Sequence, residues 1–586
     1  MSMNPTDRER LLKKDRISGS EILLRTLLLE GVECVFGYPG GAVLYIYDAM
    51  HGNPDFKHIL TRHEQGAIHA ADGYARSTGR TGVCLATSGP GATNLITGIA
   101  TAHMDSVPLV VITGNVATSL LGTDAFQEAD IVGMTQPVTK HSYMVRTADE
   151  LPRVLREAFH LANSGRKGPV LVDIPKDVSA EMTEFIYPEE ISIRGYKPVP
   201  DVRPDQVGKL AAALRGAKKP LILAGAGIIH AGAEQALAEL AQHFGIPVTT
   251  TLLGIGGFPS DDPLSLGMAG MHGTYAANRA LLECDLLVAV GSRFDDRVTM
   301  RLDGFAPQAV IAHIDIDPAE IGKLVPSSIP VTGDACTVLR ALLDELRADS
   351  ATHGSFHASQ TASWIAELNR MKMLHPLRYR EDQQELKPQH VIEMIAATTG
   401  GEAIITTDVG QHQMWTAQFG RFNHPRTLIT SGGLGTMGFG FPAAIGAQIG
   451  NPGRTVISIN GDGGMQMCAQ ELAVCAIHRI PVKIVVINNR TLGMIKQWQE
   501  LVYEGRHSHI DLSGSPDFVK LAEAYGITGL RAQNPAEAQR AWQLAMDTEE
   551  PVLIDFVVDR DELVFPMVPQ GMALSDMITG EEITNG

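Results

Sequence analysis

The chain has 586 residues, and because protein domains usually span about 100 to 200 residues, a single small module is excluded. Hydrophobic residues make up 44% of the chain and charged residues 19%, an ordinary globular mix that excludes wholesale disorder. Lys and Arg number 48 against 66 Asp and Glu, and the resulting net charge of −18 disfavours nucleic acid and anionic membranes as partners.

The cysteines and the N-terminus predict a cytoplasmic protein. The 6 cysteines include no C-x-x-C pair, and most stand in apolar segments where Cys behaves as a small buried hydrophobe. Residues 1–18 are polar, so we expect no secretory signal. No later stretch approaches the roughly 20 apolar residues of a membrane span.

Short apolar runs alternate with helix-like segments along the chain. Continuous Val, Ile and Leu runs predict parallel strands covered by helices on both faces, which is the α/β class with doubly wound parallel sheets. Pro-rich residues 186–206 and polar residues 347–389 are predicted to be linkers, which leaves domains at 1–190, 200–345 and 375–560 and a tail at 561–586. Strands are expected at 83–86, 108–113, 170–174, 220–224, 285–291, 309–316, 455–460, 481–488 and 551–558.

The first and third domains resemble each other. Residues 84–115 and 457–489 both read as strand, Gly-rich turn, helix and strand, although such units are common and the likeness alone is weak. The turn is neutral in the first segment and acidic in the second. Two similar domains with different turns predict a ligand bound between them.

Two features of the first and middle domains are explained by ordinary structural roles or chance matches when each is taken alone. Glu64 follows a predicted strand at 56–60 and begins a predicted helix at 64–76, where the helix dipole favours an acid. In the middle domain, Gly225 and Gly227 fit a dinucleotide fingerprint that has His230 where its third Gly would stand, so the match is weak.

The acidic turn of the third domain carries the sharper signal. Asp462 follows a predicted strand in the sequence Gly-Asp-Gly-Gly, and the next strand ends at Asn488-Asn489. Both strand ends face one crevice in a right-handed βαβ unit, so Asp462 and Asn489 are expected to converge. A carboxylate and an amide oxygen suit Mg²⁺ that is completed by ligand phosphates, and the glycines let the backbone approach those phosphates.

This spacing resembles the signature of thiamine diphosphate enzymes, and the resemblance extends along nearly the whole chain. It implies Mg²⁺ held by Asp462, Asn489 and the main-chain oxygen of Thr491, where many relatives have His, with Gly463 and Gly464 close to the diphosphate. It also implies a pyrimidine-binding domain at 1–190, an FAD-binding domain at 200–345, a diphosphate- and Mg²⁺-binding domain at 375–560, and a tail that covers the active site.

The same resemblance assigns the activating acid and the cofactor supports. Glu64 is expected to shift a proton at the aminopyrimidine of cofactor bound by another subunit, so the working unit is a homodimer or larger. Met437, in the Gly-rich run that includes Gly435, is expected to support the bent cofactor. Gln411 and His412 are expected to cover the diphosphate.

Several blocks resemble the acetohydroxyacid synthase family in particular. Members decarboxylate pyruvate on thiamine diphosphate and transfer the hydroxyethyl unit to a second 2-ketoacid, pyruvate or 2-ketobutyrate, as the first common step of branched-chain amino-acid biosynthesis. A smaller regulatory subunit is a common partner. The blocks are Tyr-Pro-Gly-Gly-Ala at 38–42, Gly-Thr-Asp-Ala-Phe-Gln-Glu at 122–128, Pro-Lys-Asp at 175–177, the segment 290–297 and the segment 493–498.

The family match also assigns substrate and flavin contacts. Lys176 and Arg297 are the cations expected to offset the repulsion of anionic 2-ketoacids. Gln127, helped by the backbone of Gly41, is expected to hydrogen-bond the reacting groups, Phe126 to shape the pocket, and Trp498 with Met494 to form an apolar wall that favours 2-ketobutyrate. The FAD contacts are expected at Arg166, Gly225, Gly227, Thr251, Leu252, Gly270, Met271, His272, Gly291, Arg293, Asp295, Asp315, Ile316 and Asp334.

Alternatives remain open at this point. Pyruvate oxidase and glyoxylate carboligase belong to the same family, although the latter has an aliphatic residue where Glu64 stands. A non-catalytic paralogue would be expected to lose Glu64 or Asp462, and both are present. Ala117 stands where many plant and fungal relatives have Pro on the inhibitor channel, which leaves inhibitor sensitivity undecided.

Overall fold

The structure is a computed structural model that describes residues 5–349, 358–382 and 384–580. Three sheets, each of six strands and each parallel throughout, dominate this part of the chain, with helices packed around them. The α/β class with doubly wound parallel sheets is thus confirmed. In the described ranges, no helix has the combined length and apolar character that crossing a membrane requires.

The first domain is built on strands whose apolar runs are buried on both faces, as the sheet order β3-β2-β4-β5-β7-β6 requires for its central members. A short antiparallel pair, β1 with β8, lies beside this sheet. The strands are β1 (Arg16–Ser18), β2 (Val35–Tyr38), β3 (His58–Leu60), β4 (Gly82–Ala86), β5 (Leu109–Asn115), β6 (His141–Met144), β7 (Pro169–Pro175) and β8 (Met182–Glu184). The helices are α1 (Pro5–Leu11), α2 (Gly19–Leu29), α3 (Leu44–Met50), α4 (Glu64–Thr78), α5 (Pro90–Thr93), α6 (Ile96–Met104), α7 (Ile131–Thr135), α8 (Leu151–Asn163) and α9 (Lys176–Ala180).

The middle domain has a different strand order, β11-β10-β9-β12-β13-β14, which is that of a dinucleotide-binding fold. Its strands are β9 (Pro220–Ala224), β10 (Val248–Thr250), β11 (Ser265–Met268), β12 (Leu286–Val290), β13 (Val310–Asp315) and β14 (Ile329–Thr332). Its helices are α10 (Pro204–Gly216), α11 (Ala226–Ala231), α12 (Glu234–Phe244), α13 (Tyr275–Glu283), α14 (Asp296–Thr299), α15 (Ala335–Asp349) and α16 (Ala358–Leu374).

The third domain has the order β16-β15-β17-β18-β20-β19. Its strands are β15 (Ile404–Thr407), β16 (Leu428–Ile429), β17 (Val456–Gly461), β18 (Lys483–Asn488), β19 (Thr528–Ala532) and β20 (Val552–Val557). Its helices are α17 (Pro388–Thr399), α18 (Gln411–Phe419), α19 (Gly440–Gly450), α20 (Asp462–Cys468), α21 (Leu472–His478), α22 (Gly493–Val502), α23 (Phe518–Ala524) and α24 (Pro535–Met546).

The likeness of the first and third domains extends to their topology. Numbered within each domain, and leaving out the β1–β8 pair, the six strands of both sheets follow the order 2-1-3-4-6-5. The helices α4 and α19 occupy equivalent places, between the second and third of these strands. The likeness read from the sequence therefore holds for the whole sheet, beyond one common βαβ unit.

Helices α4 and α19 join these two domains by a close crossing. A Cβ on Gly446 would stand 1.7 Å from the Ala70 carbonyl oxygen, and one on Gly73 would stand 2.1 Å from the Ala443 carbonyl oxygen. Only glycine permits this approach. Buried residues of both domains, including Ile68 and Phe441, form one continuous apolar core, so the two domains pack as a unit.

The second predicted linker, 347–389, is partly wrong. Helix α16 occupies Ala358–Leu374 within it, and its Trp364 and Leu368 are each only 1% exposed in a core cluster with middle-domain residues. Trp364, Leu368 and Met371 recur at helical spacing, a pattern that a reading based on composition does not detect. Residues 350–357 and 383 of that segment lie outside the described residues, as do 1–4 of the first domain and 581–586 of the tail.

Candidate active site

A cavity of about 1440 Å³ lies between the middle and third domains, and residues of the first domain such as Asp105 and Arg166 close one side of it. It opens at the carboxyl ends of β9 and β12 and of β15 and β17. At each of these pairs the strand order reverses direction. Ligands of open α/β sheets bind at such reversals, and this cavity spans two of them.

The predicted metal residues lie together in the cavity wall. Strands β17 and β18 are parallel neighbours, with Gly461 paired with Ile487, so Asp462 and Asn489 both emerge from the same sheet edge. Thr491 follows two residues later, and its backbone N–H donates to Asn489 Oδ1 at 3.2 Å. Asp462, Asn489 and Thr491 all line the cavity.

The carboxylate of Asp462 is suited to a cation. The residue is 2% exposed, and its Oδ2 atom has no hydrogen-bond partner among the described residues. Burial raises the pKa of Asp462 to about 7, because removal from water disfavours the charged carboxylate. A divalent ion held by carboxylate, amide and carbonyl oxygens would satisfy this group, so the residues fit Mg²⁺.

The glycines of the acidic turn lie in the cavity wall. Gly463 and Gly464 line the cavity, and a Cβ on Gly464 would overlap the Asp408 carboxylate at 1.4 Å. Gly464 therefore lets the acidic turn pack directly against Asp408, and the start of α20, where backbone N–H groups can bind phosphate, lines the cavity. This arrangement fits the diphosphate of the expected cofactor.

Gln411 and His412 begin helix α18 in the same wall. Gln411 accepts from Asn489 Nδ2 at 3.2 Å and donates to Gln497 Oε1 at 3.0 Å, so it holds the Asn489 side chain in position. His412 is 5% exposed, burial lowers its pKa to about 4, and its Nε2 has no partner among the described residues. This neutral imidazole is free to bond a ligand.

The apolar part of the wall contains the remaining residues expected near the cofactor. Met437 reaches toward the acidic turn, with its Cε 3.6 Å from the position that a Cβ on Gly463 would take. Gly435, at φ +71°, lies in the same run. Met494 and Trp498 project from α22, and Arg297 lies across the cavity, half exposed beside Asp296.

The middle domain supplies the other end of the cavity. Gly227 packs against Gly291 so closely that a Cβ on Gly227 would lie 2.5 Å from the Gly291 Cα. Arg166 donates to Glu320 at 2.7 Å, and burial raises the pKa of Asp315 to about 6. The predicted flavin contacts that line this end are Arg166, Gly227, Thr251, Leu252, Met271, His272, Gly291, Arg293, Asp295, Asp315, Ile316 and Asp334.

Two predicted flavin contacts lie behind the wall instead. Gly225 donates from its backbone to the Val290 carbonyl at 2.9 Å, and Gly270, at φ +102°, accepts from the Asn278 side chain at 2.9 Å. They shape the turns that present their lining neighbours. The size of the cavity and its position at the β9–β12 reversal fit a dinucleotide such as FAD.

The remaining catalytic candidates lie at the carboxyl edge of the first sheet. Gly41 follows β2, Glu64 follows β3 and Lys176 follows β7, while Gln127 stands in the loop after β5. The Gly-rich segment after β4 contacts two of them: Asn94 donates to Glu64 Oε2 at 3.0 Å, and a Cβ on Gly89 would lie 2.9 Å from the Gln127 carbonyl oxygen. The structure thus brings Glu64 and Gln127 to one segment, while Gly41 and Lys176 follow other strands at the same edge of the sheet.

This first-domain group is separate from the cavity of the same chain. In the described part of the chain, Gly41, Glu64, Gln127 and Lys176 do not line it. Phe126 is 88% exposed, an unusual state for a large apolar side chain. The chain therefore presents two partial sites, one at the cavity and one at this exposed edge.

Sequence reasoning missed several buried polar residues around both sites. Asn94 holds Glu64, Glu471 accepts from the backbone of Arg62, and Asp408 accepts from the Gly438 N–H at 2.8 Å. Asp408 directly follows the apolar strand β15, and this position is a usable signal. The others have no sequence signal, because only the fold brings them to their partners.

Comparison with known proteins gives the class first. The family model of the thiamine pyrophosphate enzyme N-terminal binding domain matches residues 17–134, that of the central domain matches residues 207–342, and that of the C-terminal binding domain matches residues 408–556. The fold and the cavity thus define a thiamine pyrophosphate enzyme.

Individual relatives narrow the class. The acetolactate synthase of Mycobacterium bovis is 50% identical over 95% of this chain and 90% of its own length. The acetolactate synthase large subunit of Corynebacterium glutamicum is 49% identical over 97% of this chain and 91% of its own length. The acetolactate synthase isozyme 3 large subunit of Escherichia coli is 47% identical over 96% of this chain and 98% of its own length. The chain belongs to the family of acetolactate synthase large subunits.

Proposed function

We propose that this protein is the catalytic subunit that makes acetolactate from two molecules of pyruvate, or its homologue from pyruvate and 2-ketobutyrate. The observation that carries the proposal is the buried Asp462 carboxylate beside Asn489 in the cavity, whose Oδ2 has no hydrogen-bond partner among the described residues, on a chain related to acetolactate synthases along 95% of its length. The product serves branched-chain amino-acid synthesis.

Thiamine diphosphate, when bound, supplies the nucleophilic carbon and the electron sink that allow pyruvate to lose CO₂. Asp462, Asn489 and the Thr491 carbonyl would hold Mg²⁺ against its diphosphate, since this edge offers hard oxygen ligands. Gly463, Gly464 and His412 would contact the diphosphate, and Met437 would support the rings. The chain provides each of these groups in one wall.

The acid–base step is assigned to Glu64. Its carboxyl is held by Asn94 and would exchange a proton with the pyrimidine ring nitrogen. Glu64 is outside the cavity of its own chain, so a second copy would bring it to the cofactor. The exposed Phe126 supports this arrangement, since burial at a subunit boundary would remove its apolar surface from water.

Substrate recognition is assigned to residues of both partial sites. Lys176 and Arg297 would attract the carboxylates of the 2-ketoacids, and Gln127 with the backbone of Gly41 would hydrogen-bond the reacting oxygen. Gln127 has φ +60°, a strained conformation for a residue other than glycine, and such strain persists where it serves a site. Trp498 and Met494 would contact the side chain of the acceptor.

FAD is assigned to the middle-domain end of the cavity. The support is the dinucleotide-type strand order and the close glycine contact at its reversal. We assign it an architectural role without net electron transfer. We further propose a smaller regulatory subunit as partner and a cytoplasmic location, the latter supported by six free cysteines of which five are buried.

The test is a series of omissions. Purified protein is incubated with pyruvate, thiamine diphosphate, Mg²⁺ and FAD, each left out in turn, and acetolactate is measured. We expect product only when thiamine diphosphate and Mg²⁺ are both present. Bleaching of the flavin absorbance by pyruvate, matched to turnover, would instead establish a pyruvate oxidase.

A further inference from the structure

The loop that carries Met437, residues 431–437, has no helix or strand of its own. It connects β16 with α19 and contains Gly432, Gly433 and Gly435. Ser431, Leu434 and Met437 line the cavity together with these glycines. A glycine-rich segment has many accessible conformations, so contacts from outside must fix its position.

Asp105 of the first domain makes such contacts. It follows helix α6, and its side chain is fully buried. Its Oδ1 accepts from the Gly433 N–H at 2.7 Å, and its Oδ2 accepts from the Gly432 N–H at 3.1 Å. Hydrogen bonds from backbone N–H groups to an ionised carboxylate are stronger than hydrogen bonds between neutral groups.

Arg76 holds Asp105 in this position. Its Nη2 donates to Asp105 Oδ2 at 2.9 Å and its Nη1 to the Thr430 carbonyl at 3.0 Å, one residue before the loop. The guanidinium also pairs with Asp72 on its own helix, α4. Arg76 thus lies between two carboxylates. Asp105 also accepts hydrogen bonds from the loop backbone, whereas Asp72 pairs with Arg76 on its own helix.

The opposite end of the loop is held by its own domain. Asp408 accepts from the Gly438 N–H at 2.8 Å, immediately after Met437. Thr101 of α6 adds a hydroxyl contact to Thr436 at 2.7 Å. Met437 is therefore positioned from both domains, through one buried carboxylate at each end of the loop.

We propose that Asp105 is a positioning residue for the thiamine site, by which the first domain sets where Met437 stands in the cavity of the same chain. The proposal rests on the proposed function insofar as it assigns Met437 to the cofactor. The hydrogen bonds by which Asp105 holds the backbone of Gly432 and Gly433, which we call the clamp, do not depend on that assignment.

Asp72 provides a matched control. Both Asp72 and Asp105 are buried partners of Arg76, so Asp72→Asn and Asp105→Asn each remove one negative charge from the same ion cluster. Among the described residues, only Asp105 of the two bonds the loop backbone. A general loss of stability would affect both variants, whereas a loss of positioning would be specific to Asp105→Asn.

The experiment uses the full-length chain without and with thiamine diphosphate and Mg²⁺. Hydrogen exchange of peptides covering 430–437 is measured without cofactor, cofactor affinity is measured by quenching of tryptophan fluorescence, and the thermal midpoint is recorded for each variant. For Asp105→Asn we expect faster exchange at Gly432 and Gly433 and roughly 10- to 100-fold weaker cofactor binding, as for other groups that orient a ligand contact. For Asp72→Asn we expect exchange and affinity near those of the wild type.

Equal exchange and equal affinity in the two variants would overturn the proposal. If Asp105→Asn fails to fold, the wild type still provides a test, because fast exchange at Gly432 and Gly433 in the unsubstituted chain would also refute the clamp. A wild-type chain that binds no thiamine diphosphate would refute the proposed function, while the exchange data would still judge the clamp.

Discussion

Asp462 and Asn489 emerge from neighbouring parallel strands at one edge of the third sheet, in the wall of one cavity. Their separation of 27 positions along the chain becomes proximity because β17 and β18 are adjacent and in register from Ile457 to Gly461. The helix between them, α20, begins at Asp462 itself. The proposed metal site would thus be a property of one βαβ unit.

Asp462→Ala tests the metal site. We expect thiamine diphosphate to bind more weakly, and the remaining affinity to lose its dependence on Mg²⁺, because the carboxylate that the cation would bridge is gone. The measurement is cofactor titration at several Mg²⁺ concentrations. Asp517→Ala serves as control, since Asp517 lies in the third domain outside the cavity wall and pairs with Arg531. An unchanged Mg²⁺ dependence in Asp462→Ala would contradict the assignment.

Glu64→Gln tests the acid. The amide can still accept the hydrogen bond from Asn94, so the fold and the cofactor content should be retained. Loss of the ionisable group should lower acetolactate formation by about 100-fold or more, as expected for removal of a general acid or base. Turnover and bound cofactor are measured on the same preparation, and near-normal turnover would remove Glu64 from the mechanism.

Trp498→Leu tests acceptor preference. Trp498 lines the cavity from α22, and one methylene in an apolar pocket is worth about 1–3 kcal/mol, so we expect the preference for 2-ketobutyrate over pyruvate to fall roughly tenfold. Products are measured in competition at equal substrate concentrations. Val502→Ala, at the exposed end of the same helix, should leave the ratio as in the wild type. A ratio unaltered by Trp498→Leu would argue against the wall.

Glu471→Gln tests the buried junction beside Glu64. Burial raises the pKa of Glu471 to about 7, so the folded protein retains a proton that the unfolded chain releases above its ordinary pKa near 4.5. Stability should therefore decrease as pH rises through this window. The variant lacks this titration, so its thermal midpoint should fall less than that of the wild type between pH 5 and 8. We expect the two decreases to differ by about 2 °C or more.

The control for this pH series is Glu523→Gln, at an exposed position on α23. Its thermal midpoint should follow the wild-type curve. Parallel curves for Glu471→Gln and the wild type would show that the carboxyl at 471 does not carry the predicted penalty.

Much of the fold could be predicted because its strands are continuous apolar runs. The nine strands predicted together and the one predicted at 56–60 all overlap observed strands, and α4 begins at Glu64 as expected. Short strands such as β10 and β16 were missed, since three or two residues give no periodicity. Helix α16 was missed because its apolar face is confined to a few positions, including Trp364 and Leu368.

Residue types and their spacing indicate the chemistry available to this protein, through the acidic turn, the asparagine pair, Glu64 and the family to which they belong. These are local patterns, in which residue type and spacing along one strand–turn–helix unit carry the information. The tertiary structure alone decided which distant residues meet. The packing bonds Asp105 to the loop that carries Met437, encloses the cavity between two domains and leaves Glu64 outside that cavity. Local sequence patterns do not show these contacts, because contacts between elements far apart in the chain depend on how sheets and helices pack.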